Sequence, residues 1–201
     1  KLPFVLFDRV SDKIDAHKVV ADNFDGAFKA TEHLILSGRK RIAHITSPSL
    51  LSITQERLAG YRAALEKYNI QYDELLVKYC GFAPEEATKI VDDLIENPKP
   101  DAIITTSDRL ALDCFSAIKE KNISMPNDVA FIGFTNLKVA HLLDPSLSTV
   151  VQPAFEIGQA AAELLLDSIE RKPQNIEQFR TIMIPTEMVI RNSSGFLVDK
   201  R

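Results

Sequence analysis

Six side chains in this sequence are suited to reading a polar molecule: Asp8, Arg57, Phe82, Ser107, Thr135 and Gln152. Five of them come just after short apolar runs. Asp8 and Arg9 follow Phe4-Val5-Leu6-Phe7, and Cys80, Gly81 and Phe82 follow Leu75-Leu76-Val77. Thr106, Ser107 and Asp108 follow Ala102-Ile103-Ile104, Phe134, Thr135 and Asn136 follow Val129-Ala130-Phe131-Ile132, and Gln152 follows Thr149-Val150-Val151. Hydroxyls, amides, carboxylates and one aromatic face together read neutral polar ligands by hydrogen bonding and ring stacking. Plainer roles stand beside these: Ser107 and Thr135 as turn caps, and Phe82 as core. Arg57 falls early in a helical stretch, where a cation opposes the helix dipole. A broken local rule near a binding face points to function. The alternative is a solvated arginine, or an ion pair with Glu56 or Glu66.

Other chemistries find little support. Gly-x-Gly occurs nowhere, which removes the dinucleotide and P-loop fingerprints, and Gly-x-Ser-x-Gly is also absent. His17, His33, His44 and His141 have no metal-ligand spacing with one another or with the cysteines. His44 reads as a hydrogen-bonded core histidine, and Asp92-Asp93 and Glu85-Glu86 as solvated helix surface. No catalytic residue, metal or cofactor is expected. Cys80 and Cys114 lack Cys-x-x-Cys spacing, and two reduced, buried thiols are preferred over a disulfide. That preference suits a reducing, cytoplasmic compartment.

The elements that would position these residues alternate. Val19-Val20-Ala21, Ile42-Ala43-His44-Ile45, Ile182-Met183-Ile184 and Met188-Val189-Ile190 join the runs above as strands. Continuous apolar runs suit a parallel sheet covered on both faces. Between them lie helical stripes. One is Phe24, Ala27, Phe28, Thr31, Leu34 and Ile35, capped by Asp22 or Asn23 and stopped by Gly38. Leu58, Tyr61, Leu65 and Tyr68 follow Ser52 and Gln55, a capping-box pattern. Ala87, Ile90, Val91, Leu94 and Ile95 are entered at Pro84, and Ala111, Cys114, Phe115 and Ile118 make a fourth stripe. The last, over 155–171, shows a small-residue face at Gly158, Ala161, Ala162, Leu165 and Ile169. This alternation predicts a doubly wound α/β fold, whose ligands bind at the carboxyl ends of the strands.

The 201 residues are 45% hydrophobic, enough for a packed core, and no apolar run approaches the roughly 20 residues of a membrane span. The net charge is −4 and the basic residues are scattered, so this stretch is not expected to grip nucleic acid. No signal peptide opens the chain, and without an initiator Met it reads as a piece of a longer protein.

Five stretches carry a family resemblance: Asp22-Asn23-Phe24-Asp25-Gly26-Ala27, His33-Leu34-Ile35 through Gly38-Arg39-Lys40-Arg41-Ile42-Ala43, and Arg57-Leu58-Ala59-Gly60-Tyr61, then residues 126–134 and 145–153. In this order they resemble the lac/gal repressor (LacI/GalR) family, from Pro3 to about Arg191. The resemblance implies the two-lobed, periplasmic-binding-protein-like type I fold, with doubly wound parallel sheets. Residues 24–150 and 178–191 would form the C-terminal lobe, and 1–23 and 152–172 part of an incomplete N-terminal lobe, with 192–201 as a flexible tail. It also implies a homodimer, a small-molecule effector (most often a carbohydrate), and operator DNA contacted only through a separate helix-turn-helix domain. Asp8, Arg57 and Phe82 match the family's ligand-contacting acid, arginine and stacking aromatic. Ser107 and Thr135 depart from it, standing where sugar-binding members commonly have Asn and Asp. A periplasmic sugar receptor of the same fold is the alternative, disfavoured by the thiols and by the Gly-Arg-Lys-Arg-Ile-Ala stretch.

Overall fold

Parallel pairing dominates two separate sheets. The computed structural model describes residues 3–81, 83, 85–135, 137–170 and 179–195. The smaller sheet holds β1 (Val5–Phe7), β2 (His17–Ala21) and β8 (Thr181–Ile184) in the order β1-β2-β8, all parallel. The larger holds β3 (Ile42–Thr46), β4 (Val77–Tyr79), β5 (Ala102–Thr105), β6 (Ala130–Thr135), β7 (Ser148–Val151) and β9 (Glu187–Val189). Its order is β4-β3-β5-β6-β7-β9, with only β7 and β9 antiparallel.

Helices cover both faces of the larger sheet, as near-continuous apolar strands require. On one side α1 (Asn23–Leu36) and α2 (Ser52–Lys67) lay Ala27, Leu34, Tyr61 and Leu65 against Ile42, Ile104, Ile132 and Phe134. On the other, α3 (Glu86–Glu96) and α4 (Asp108–Glu120) lay Val91, Leu94, Cys114 and Ile118 against Ala43, Ile45, Ile103 and Phe131. Adjacent strand residues thus feed opposite layers, the period-two rule of a strand. Both cysteines are free and buried, as preferred from the sequence. Asp22 caps α1, its carboxylate accepting from the Asp25 amide at 2.9 Å, and Gly38 ends that helix at φ 91°, a backbone region that favours glycine.

The chain passes between the sheets at residues 22, 152–153 and 185–186. These crossings are tied together. The Asp22 amide donates to the Ile184 carbonyl at 2.8 Å, and Thr186 Oγ1 donates to the Asp22 carbonyl at 3.3 Å.

Several expectations are corrected. Leu75 and Leu76 are not strand: with Glu74 they form one 3-10 turn capped by Asp73, and the strand begins at Val77. Ser52 and Gln55 do not make a capping box. The cap position is Leu51, Ser52 Oγ donates instead to the Val10 carbonyl at 3.1 Å, and Gln55 reaches the Ser49 carbonyl. In α5 (Ala154–Glu170) the packed face is Ile157, Ala161 and Leu164, laid on Val19 and Ala21. Gly158, Ala162 and Ile169 face outward, so of the expected small-residue face only Ala161 is packed, between the aliphatic side chains of Ile157 and Leu164. The stretch expected to belong to one lobe does not stay in one sheet over 179–191: Thr181–Ile184 pairs with β2, and Glu187–Val189 with β7. The expected flexible tail is anchored at its start. Asn192–Ser194 form a 3-10 turn in which Ser193 and Ser194 are buried, with Ser193 Oγ donating to the Phe131 carbonyl and Ser194 Oγ to Ser148 Oγ. The Pro84 entry to α3 lies outside the described residues. No described helix is long and apolar enough to cross a membrane.

Candidate functional site

Polar side chains converge where the carboxyl ends of the strands meet the crossings, and Arg57 is at their centre. It lies in the second turn of α2 and is 1% exposed. Its Nε donates to Asn23 Oδ1 at 2.9 Å, its Nη1 to the Thr106 carbonyl, and its Nη2 to Gln152 Oε1 at 3.4 Å. The guanidinium also lies 3.8 Å from the centre of the Phe134 ring, a cation–π contact in a desolvated place. All three acceptors are neutral. Arg57 is therefore neither solvated nor paired with Glu56 or Glu66, the alternatives left open by the sequence. Burial lowers its pKa to about 10, partly offset by the charges of Asp8 and Glu56 and deepened by Arg9.

The two amides pass the contact on to carboxylates. Gln152, just beyond β7, donates from Nε2 to Asp8 Oδ1 at 2.5 Å, and Asp8 sits one residue beyond β1 at φ 59°. Asn23, at the start of α1, donates from Nδ2 to Glu56 Oε2 at 2.7 Å and to the Ala21 carbonyl at 3.2 Å. Burial holds the Glu56 carboxyl above the usual carboxylate range, against the Asn23 hydrogen bond and the Arg57 charge. Three of the expected residues, Asp8, Arg57 and Gln152, thus form one chain of contacts.

Ser107 and Thr135 lie beside that chain without joining it through their side chains. Ser107 Oγ caps α4 by accepting from the Leu110 amide at 3.3 Å, which is the plainer role the sequence allowed. The preceding residue, Thr106, supplies the carbonyl for Arg57 and donates from Oγ1 to Thr46 Oγ1 at 3.0 Å. Thr135 ends β6 at φ 99°, its carbonyl accepting from the Gln152 amide and its side chain bonded to Asp108. Burial raises the Asp108 pKa, and its Oδ1 has no partner among the described residues. Phe82 lies outside the described residues. Beside it, the Gly81 amide donates to Glu86 Oε2 at 2.8 Å and the Gly81 carbonyl accepts from Arg109.

Asn23 and Glu56 are part of this cluster and were not singled out as site residues from the sequence, whereas Thr106 stood among the strand-end residues but not among the six. Asn23 stood only as a helix cap and Glu56 only as an ion-pair partner, because local spacing does not show that α2 lies across the crossing at residue 22. Among the described residues no group of three His, Cys, Asp or Glu side chains could hold a metal ion. His44 is not the hydrogen-bonded core residue expected: it is fully buried and neither ring nitrogen has a partner among the described residues.

Two mainly parallel sheets, joined by three crossings and wound with helices, define the periplasmic-binding-protein-like fold. The chain belongs to the periplasmic binding protein-like domain family, whose model matches residues 31–194, and its relatives are LacI-family repressors. It is 32% identical to the HTH-type transcriptional repressor CytR of Escherichia coli K12, over 97% of this chain and 57% of that protein. It is 30% identical to the ribose operon repressor of Haemophilus influenzae Rd, over 96% and 57%. The chain therefore spans little more than half the length of these curated relatives. Among solved structures, a CelR transcriptional regulator in complex with cellobiose superposes with a TM-score of 0.86 at 30% identity, covering 95% of this chain and 58% of that one. A LacI-family regulator from Enterococcus faecium with bound ribose gives 0.85 at 26% identity, covering 98% and 72%.

Proposed function

We propose that this chain is the effector-binding domain of a LacI-family transcription regulator, and that its effector is a small neutral polyol or sugar. The observation that carries the reading is the neutral relay around Arg57. Asn23, Thr106 and Gln152 hold the guanidinium in place and leave it without a carboxylate partner. The 3.4 Å bond to Gln152 is the longest of the three, so a ligand hydroxyl displaces that amide most easily and takes over its place. Asp8 then accepts from a neighbouring hydroxyl, while Gln152, Ser107 and Thr135 add neutral contacts and Phe82 stacks on the apolar face of the ring. The cellobiose and ribose in the similar regulator structures support a saccharide as the ligand class.

In this reading the ligand lies between the unit that holds β1, β2, β8 and α5 and the unit built on the larger sheet. The protein is cytoplasmic and homodimeric, and a separate helix-turn-helix domain contacts operator DNA. Titration calorimetry with a panel of mono- and oligosaccharides tests the site. A hydrogen bond to a charged group contributes about 1.5–3 kcal/mol, so Arg57→Ala weakens the best saccharide by roughly 10- to 100-fold. An Arg57→Ala protein that melts cooperatively and still binds with full affinity removes the reading.

A further inference from the structure

We infer that Glu56 is a positioning residue for ligand recognition: by fastening the Asn23 carboxamide, it aims the Arg57 guanidinium at the site. The inference rests on the effector-binding reading given above.

Asn23 is 2% exposed, and its carboxamide is fully used in three directions. Its oxygen accepts from Arg57 Nε at 2.9 Å. Its nitrogen donates one hydrogen to the Ala21 carbonyl at 3.2 Å and the other to Glu56 Oε2 at 2.7 Å. The Glu56 bond is the shortest of the three, and the only one made by a group that can be replaced without touching the main chain or Arg57. An amide loses its orientation when one of its buried donors is left without an acceptor, because that donor then turns toward any oxygen in reach. Here the turn carries Oδ1 away from Arg57 Nε. The guanidinium would keep the Thr106 carbonyl and the longer Gln152 contact, which pin one end of its plane and leave the other free to swing over Phe134.

The arrangement also explains why a glutamate next to Arg57 does not quench it. Glu56 spends its oxygen on Asn23, so it steadies the cation through a neutral amide and leaves the guanidinium open to a neutral ligand. The Gln152–Asp8 pair repeats this pattern on the other side.

The test uses the 201-residue chain labelled with 15N-arginine, with hydrogen exchange read at the Arg57 Nε–H. The Arg41 Nε–H, bonded to the Pro98 carbonyl at 3.1 Å, is the internal control. Glu56→Gln keeps an acceptor at Oε1; Glu56→Ala and Glu56→Met remove it. Wild type and Glu56→Gln keep the Arg57 Nε–H protected. In the Ala and Met variants it exchanges at least about tenfold faster, with Arg41 unchanged, and cellobiose or ribose binds about tenfold more weakly, the value of one hydrogen bond. Unchanged Arg57 protection in the Ala or Met variant overturns the inference. So does a Glu56→Gln protein that behaves like Glu56→Ala, because then the charge and not the hydrogen bond does the work. Loss of the fold in both the Ala and Met variants also overturns it, since a positioning role leaves the core intact. If the exchange pattern appears as expected but neither sugar binds the wild type, the positioning role of Glu56 stands and the saccharide reading is what fails.

Discussion

His44 shows what a residue's surroundings do that its type does not announce. It sits in the middle of β3, fully buried, with its ring 5.0 Å from that of Tyr61 at an angle of 30°. Tyr61 gives its hydroxyl to the Ile42 carbonyl and offers His44 only its ring. Burial, reinforced by the charges of Arg57 and Arg62, lowers the His44 pKa to about 3. The unfolded chain takes up a proton near the ordinary histidine value of about 6.5, and the folded chain does not. Stability from this group is therefore present above pH 6.5 and drains away as the pH falls toward 3. By linkage the loss reaches about 2 kcal/mol at pH 5 relative to pH 8. Replacing an unpartnered buried polar ring by an apolar group of similar size costs little or stabilises. We expect His44→Leu to match or exceed the wild type in urea at pH 8, and its advantage to grow by about 2 kcal/mol on going to pH 5. A difference between the two proteins that stays constant between those pH values would place the proton uptake elsewhere.

At the scale of elements, two glycines separate packing demand from mere presence in a helix. Gly60 lies where α2 crosses α1. A Cβ there would collide with the Phe24 carbonyl oxygen and come within 3.0 Å of the Phe28 amide nitrogen. Both are backbone atoms of α1 and cannot step aside. Gly158 lies in α5, and a Cβ there meets nothing within 4 Å. Gly60→Ala should lower stability, because overpacking of about 1–3 kcal/mol outweighs the gain of about 1 kcal/mol in helix propensity. Gly158→Ala should raise stability by roughly 0.5–1 kcal/mol. Urea midpoints of the two variants moving in the same direction would contradict this account. The pair also marks how far the sequence could be read. The stripes on α1, α3 and α4 were legible because their apolar periods answer to a sheet beneath them. So were most strands of the larger sheet, the placing of Asp8 and Gln152 at strand ends, and Arg57 as a misplaced helix cation. The packed face of α5 was not legible, since Gly158 and Ala162 share a period with Ala161 but face outward, and composition cannot tell an empty face from a tight one. The split of residues 179–191 between two sheets was hidden for a similar reason: a strand pattern states what is buried, not which sheet buries it. Asn23 and Glu56 escaped notice because their roles depend on the α1–α2 crossing, which Gly60 makes possible.

For the molecule as a whole, charge and exposed apolar surface set what it meets. With a net charge of −4 it has no field to hold phosphates, so the chain alone should give no mobility shift that survives excess competitor DNA at physiological salt. Association with a second copy is the stronger expectation. In the β6–β7 connection, Ala140 and Leu147 are core and Leu137 and Leu143 pack against it. Val139 and Leu142 are left outward at 43% and 71% exposure. Exposed aliphatics in a connection tied to the core by the Leu147 amide to the Ala140 carbonyl, at 2.8 Å, are held in a fixed place and suit a self-complementary contact. A two-fold axis would bring Leu142 of each copy against the same patch of the other, so a single charge there is buried twice. Light scattering at tens of micromolar should give twice the chain mass of 22.5 kDa, and Leu142→Glu should give the monomer while keeping the fold. A monomer mass for the unaltered chain would end the expectation of a dimer, and a dimer that survives Leu142→Glu would move its interface off this connection.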